Sequence, residues 1–153
     1  MAASEVLHAE HRLEYPYSRS TGPIIGAFLT GLRDGRFLGA TGSDGAVIVP
    51  PTEYDPITSD DVGELVEVGP GGVVESWAWV SHPLRKHPLQ TPFAWALIKL
   101  DGAGTAMLHT VHVAGPDELV TGARVTAKFR PAADRIGSMA DVECFVLEGG
   151  ASS

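Results

Sequence analysis

Thiols are almost missing from this chain: Cys144 is the single cysteine in 153 residues, so neither an internal disulfide nor a cysteine-built zinc site can form. So little cysteine use fits a reducing compartment, and the expected location is cytoplasmic. Basic residues are also few. Lys and Arg number 11 against 19 Asp and Glu, a formal charge of −8, which disfavours broad attraction to phosphate backbones or anionic membranes. No apolar run approaches the ~20 residues of a membrane helix, and no basic opening segment leads into an apolar stretch with a cleavage site. Phosphate-cradling glycine motifs are absent, and Ser43 in Gly42-Ser43-Asp44-Gly45 is not the strained elbow of a hydrolase. No repeat occurs, and the one low-complexity tract is the tail 149–153, expected to be disordered.

What remains is the composition of an ordinary globular protein, 44% hydrophobic and 20% charged, long enough for one core. Residues 1–21 read as a flexible polar arm carrying His8 and His11. From Gly22 the residues Ile24, Ile25, Phe28, Leu29 and Leu32 recur at helical spacing, predicting an amphipathic helix that ends near Asp34-Gly35. Ile25, Phe28 and Leu32 are expected to pack on the chain's own core, leaving the rest of the stripe open to a partner. Gly, Pro, Asp and Thr crowd positions 36–62, around the short apolar run Val47-Ile48-Val49, and predict loops with little regular structure.

Beyond Gly63 the pattern turns to strands: Leu65 to Val68, Val73 to Val80, Phe93 to Leu100, Thr105 to Val113, Arg124 to Arg130 and Val142 to Leu147. Gly69-Pro70-Gly71-Gly72 and Asp101-Gly102-Ala103-Gly104 read as hairpin turns, making their flanking strands antiparallel neighbours. Val125, Ala127 and Phe129 alternate with polar residues, so that strand has one core face. Five or six such strands close most economically into a small barrel, of which the OB-fold is a common form; a sandwich is the alternative. The expected layout is an arm at 1–21, a helix with an irregular region at 22–62, a barrel at 63–148 and a tail at 149–153.

No residue set forms an obvious catalytic constellation. His109 and His112 lie three apart in a strand, on opposite faces, and cannot share a metal ion. His8 and His11 have no third ligand at metal-binding spacing. Between two aromatic strands, His82 and His87 flank a segment containing Arg85 and Lys86; this is either a basic loop for the phosphate or pantetheine of an acyl thioester carrier or a solvated loop. Trp77, Trp79, Phe93 and Trp95 concentrate aromatic area that would line a groove, anchor an interface or fill the core.

Several segments together carry a family resemblance: Gly22-Pro23, F-L-T-G-L-R-D-G-R from Phe28 to Arg36, S-D-G-A-V-I-V-P-P-T-E-Y-D-P from Ser43 to Pro56, F-A-W-A-L-I-K-L-D-G from Phe93 to Gly102, and Leu108-His109. From about Tyr15 to Phe145 the chain resembles the OB-fold acyl-CoA-associated proteins catalogued as domain of unknown function thirty-five. The resemblance implies an N-terminal helix, a zinc ribbon and a C-terminal OB barrel of five or six strands. It also implies association with a thiolase-like enzyme, among them the lipid-transfer-protein-like aldolases of steroid side-chain degradation. Where that ribbon has its metal cysteines, this chain has Thr41, Asp44, Asp55 and Thr58, which implies a degenerate ribbon-like loop region without metal.

The implied role is a non-catalytic accessory subunit that helps complete a partner's acyl-CoA passage, with no cofactor of its own and acyl-CoA shared with the partner. Residues expected at ligand or partner contacts are Phe28, Trp77, Trp79, His82, Arg85, Lys86, His87, Phe93 and Trp95. Two other readings compete. A single-stranded nucleic-acid binder would assemble Trp77, Trp79, Arg124, Lys128 and Arg130 into a groove, against the overall acidity. A small enzyme would pair His109 or His112 with a carboxylate. The substituted ribbon positions generate the first prediction: metal analysis of the dialysed protein finds no stoichiometric zinc, and one tightly held zinc per chain overturns the assignment of those positions.

Overall fold

The computed structural model describes residues 8–149, so the first seven residues of the arm and the tail beyond Gly149 lie outside the described residues. The helix α1 spans Pro23–Arg33, and Pro23 at its start supplies a φ already suited to the first turn. Gly22 offers no capping side chain there. Glu53 takes over from a distant loop, its carboxylate accepting the N–H groups of Ile24 at 3.3 Å and Ile25 at 2.7 Å. Phe28 and Leu32 turn into the core, as the apolar spacing predicts.

The stretch after α1 corrects the expectation of irregular loops. Strands β1 (Phe37–Thr41), β2 (Val47–Ile48) and β3 (Leu65–Val68) form an antiparallel sheet in the order β2-β1-β3. Because Leu65 to Val68 pairs with Ala40 to Phe37, the first predicted barrel strand belongs to this small sheet. Gly69-Pro70-Gly71-Gly72 is therefore not a hairpin. It carries the chain from sheet to barrel while bracketing the true hairpin at 101–104, with Gly69 donating to the Asp101 carbonyl and Asp101 to the Gly71 carbonyl.

Five strands close the barrel: β4 (Gly71–Val80), β5 (Phe93–Leu100), β6 (Met107–Val111), β7 (Arg124–Phe129) and β8 (Val142–Leu147), in the order β4-β5-β6-β8-β7. All neighbours are antiparallel except β6 and β8, which meet in parallel where Val111 pairs with Phe145. This is the OB arrangement rather than a sandwich. Phe37 of β1 stacks against Phe145 at 6.1 Å and tilts against Phe129 at 5.2 Å, so the small sheet plugs the barrel. Helix, sheet and barrel share one apolar cluster. An ion cluster ties the opposite strand ends together: Arg124 bonds Asp101 through two nitrogens, at 2.6 and 2.7 Å, and Glu148 at 2.9 Å.

The start of β4 passes between β5 and β7, with Gly72 opposite both Leu100 and Val125. A Cβ at Gly72 would stand 2.6 Å from the Lys99 carbonyl oxygen and 3.1 Å from the Leu100 Cα, which are backbone atoms unable to rotate away. We expect Gly72→Ala to destabilise the fold by about 1–3 kcal/mol, read as a lower denaturant midpoint with an unchanged m-value.

Candidate functional site

Residues paired across an antiparallel ladder share a face, so the register decides which aromatics can meet a partner. Trp77 pairs with Ala96 and Trp79 with Ala94, both fully buried alanines of the barrel interior. Ala78 pairs with Trp95 and Val80 with Phe93 on the outer surface. The two aromatic pairs thus lie on opposite faces, and Trp77 and Trp79 pack half-buried against the core cluster. A β-bulge between Val74 and Ser76 is the cause: the extra residue, Glu75, flips the alternation so that odd positions beyond it turn inward. Small alanines opposite leave room for the two indoles.

On the outer surface Phe93 is fully buried despite its outward position, held edge-on by His87 at 5.6 Å and against Trp95 at 5.4 Å. His87 anchors the loop 81–92. Its N–H donates to the Leu84 carbonyl at 2.8 Å, its Nδ1 accepts the Leu84 N–H at 3.1 Å, and its carbonyl accepts Gln90 at 2.9 Å. Arg85 and Lys86 stand exposed at the tip beside Leu84, and His82 turns to the Ser81 hydroxyl. Of the nine expected contact residues, Phe28 is core, Phe93 is buried on the outer surface by His87 and Trp95, Trp77 and Trp79 face inward, and His87 holds the loop. Trp95, His82, Arg85 and Lys86 remain on or beside one outer face.

Two residues on that face escaped the sequence reading. Leu97 and Leu108 pair directly across β5 and β6 and are 41% and 58% exposed. Their signal was hidden because both alternating sets of β5 are apolar apart from Lys99. A surface depression of about 450 Å³ lies instead at the small sheet, lined by Thr41, Gly42, Ser43, Asp61, Gly63 and Glu64, away from every aromatic or cationic candidate.

At Thr41, Asp44, Asp55 and Thr58, the positions that the resemblance sets against ribbon cysteines, each side chain is engaged with backbone. Asp55 is buried; one carboxylate oxygen accepts Ser43 N–H at 2.6 Å, the other those of Ile57 at 2.7 Å and Thr58 at 3.0 Å. These bonds hold its carboxyl below the usual range. Thr41 donates to the Glu64 carbonyl, Asp44 accepts from Ala46, and Thr58 accepts from Asp60. Among the described residues, no three His, Cys, Asp or Glu side chains stand close enough to hold an ion.

His109 sits inside the barrel and His112 is exposed, as their spacing predicts. Burial pushes the His109 pKa down, opposed by its contacts with the Met139 carbonyl and Thr110. The ring lies edge-on to Phe145 and its hydrogen-bond partners include no carboxylate, so the acid–base pair of the small-enzyme reading is not assembled there. The nucleic-acid groove is not assembled either. Trp77 and Trp79 face inward, Arg124 is committed to Asp101 and Glu148, and Lys128 pairs with Glu143 at 3.1 Å.

These features define an OB-fold protein whose barrel interior is filled by its own side chains. Residues 65–130 match the family described as the C-terminal OB-fold domain of ChsH2. Over most of the chain the fold is similar to that of two solved structures whose titles name DUF35. One similar solved structure, titled Ltp2-ChsH2(DUF35) aldolase, has a TM-score of 0.61 and 18% identity over 85% of this chain and 98% of that one. A second, a DUF35 protein of unknown function from Sulfolobus solfataricus, has a TM-score of 0.56 and 22% identity, covering 70% and 78%. The search of curated protein sequences found no match. No described helix is long and apolar enough to cross a membrane.

Two measurements check this placement. Trp77→Ala or Trp79→Ala should cost stability on the order of 3 kcal/mol, seen in denaturant unfolding, because the indoles fill the barrel interior. For His109 the folded pKa lies below the unfolded value of about 6.5, so its stabilisation is complete above that value and is lost as pH falls. The denaturant midpoint should therefore drop as pH falls below about 6.5, and His109→Gln should flatten that part of the profile.

Proposed function

We propose that the chain is a non-catalytic accessory subunit of a thiolase-like acyl-CoA enzyme, a steroid side-chain aldolase or a thiolase, and helps complete the passage for its acyl-CoA. The observation that carries this reading is the match of residues 65–130 to the ChsH2 OB-fold domain. It is joined by a fold similarity extending over almost the whole of the chain in the Ltp2-ChsH2 aldolase. A plugged barrel supports it as well: Phe37, Trp77, Trp79 and Phe145 occupy the space a small-molecule pocket would need, which leaves the outer surface for recognition.

In this reading the nucleophile and base belong to the partner, and this chain contributes surface and positioning. Co-expression with a cognate Ltp2-type subunit tests it. A stable complex that turns over an acyl-CoA substrate, with no turnover by this chain alone, is the expected result. Turnover by the isolated chain that persists through further purification overturns the accessory role.

A further inference from the structure

We propose that the outward face of β4, β5 and β6 docks onto a partner protein whose matching surface is an apolar patch rimmed by carboxylates. The proposal rests on the accessory-subunit reading and names the surface and the chemistry of its contact. Leu97 and Leu108, paired across two strands, form its exposed centre, extended by Ala78 and the half-buried Trp95. Scattered exposed leucines are ordinary on a soluble chain. The distribution of charge around this pair is not.

From Asp44 to Glu75 the chain carries eight acidic residues and no Lys or Arg. β4 carries the exposed Glu75 at its bulge, and from Ser76 to Pro116, which supplies the rest of β4, all of β5 and β6 and their loops, the one acidic residue is Asp101. That carboxylate is held by Arg124 at the barrel end. The same stretch carries Arg85, Lys86 and Lys99, all exposed. In a chain with net charge −8, this face thus sets three exposed cations against Glu75 and the Arg124-bound Asp101. Such a surface complements an apolar patch with an acidic rim, where unlike charges guide the approach and the apolar centre supplies the hold. A symmetric pair of this chain fits less well, because both copies would bring more cations than carboxylates to the contact.

The test uses the full chain and a cognate Ltp2-type subunit. Leu97→Ser with Leu108→Ser should weaken binding at least about tenfold at any ionic strength, with an unchanged melting temperature because both side chains are exposed. Leu108→Glu should weaken it more than Leu108→Lys, which keeps the favourable sign. Arg85→Glu with Lys86→Glu should weaken binding strongly at about 50 mM salt and much less at about 500 mM. Folded variants that all retain full affinity overturn the face. A wild-type chain that fails to bind the subunit overturns the accessory reading beneath it, which separates the two failures. Concentration-dependent self-association abolished by the leucine variants would assign the face to a second copy instead. Tight oligonucleotide binding abolished by the Arg85 and Lys86 variants would assign it to nucleic acid; either result rejects the proposal.

Discussion

Closing five strands into a barrel forces each side chain on β4, β5 and β6 to be either inside or outside, and the other features of this molecule depend on that division. A single bulge at Glu75 sets it. Before the bulge, even positions of β4 face inward, with Val74 opposite Ile98; after it, odd positions do, with Trp77 and Trp79 over Ala96 and Ala94. The indoles then complete the interior that Phe37 plugs from the small sheet. With the lumen spent on packing, the outer surface alone is left for recognition.

Much of this architecture was legible in the chain. The bounds of β5 and β8 agree with the predicted runs because each is β-rich and flanked by turn residues or polar segments. α1 was equally plain, from Pro23 at its start to Asp34-Gly35 at its end, where Gly35 has a φ of +80°. The partner of Leu65 to Val68 was not legible. A Gly-Pro-Gly-Gly segment serves a hairpin or a crossing equally well, and only pairing with Phe37 to Ala40 decides between them. Those β1 residues lay hidden in a glycine-rich stretch whose strands are too short for a period-two signal.

The candidate site divides along the same line. Alternation within a strand showed that Trp77 and Trp79 share a side, as do Phe93 and Trp95. It carried no information on how the two sides relate, because that relation passes through a bulge and a register. Loop residues fared differently: Arg85 and Lys86 are exposed as expected, yet His87 serves the loop's own geometry through Leu84, Gln90 and Phe93. A histidine with one nitrogen committed to a backbone amide is a structural part before it is a reagent.

Asp55 carries a consequence of another kind. One carboxylate, crossing from its own turn to Ser43 while receiving Ile57 and Thr58, draws two loops together with ordinary amide donors. A joint made this way has no sulfur among its bonding atoms for peroxide to attack. Its cohesion answers to protonation of that one carboxylate, whose pKa its amide donors hold low, so this corner of the molecule would keep its shape through swings of redox state.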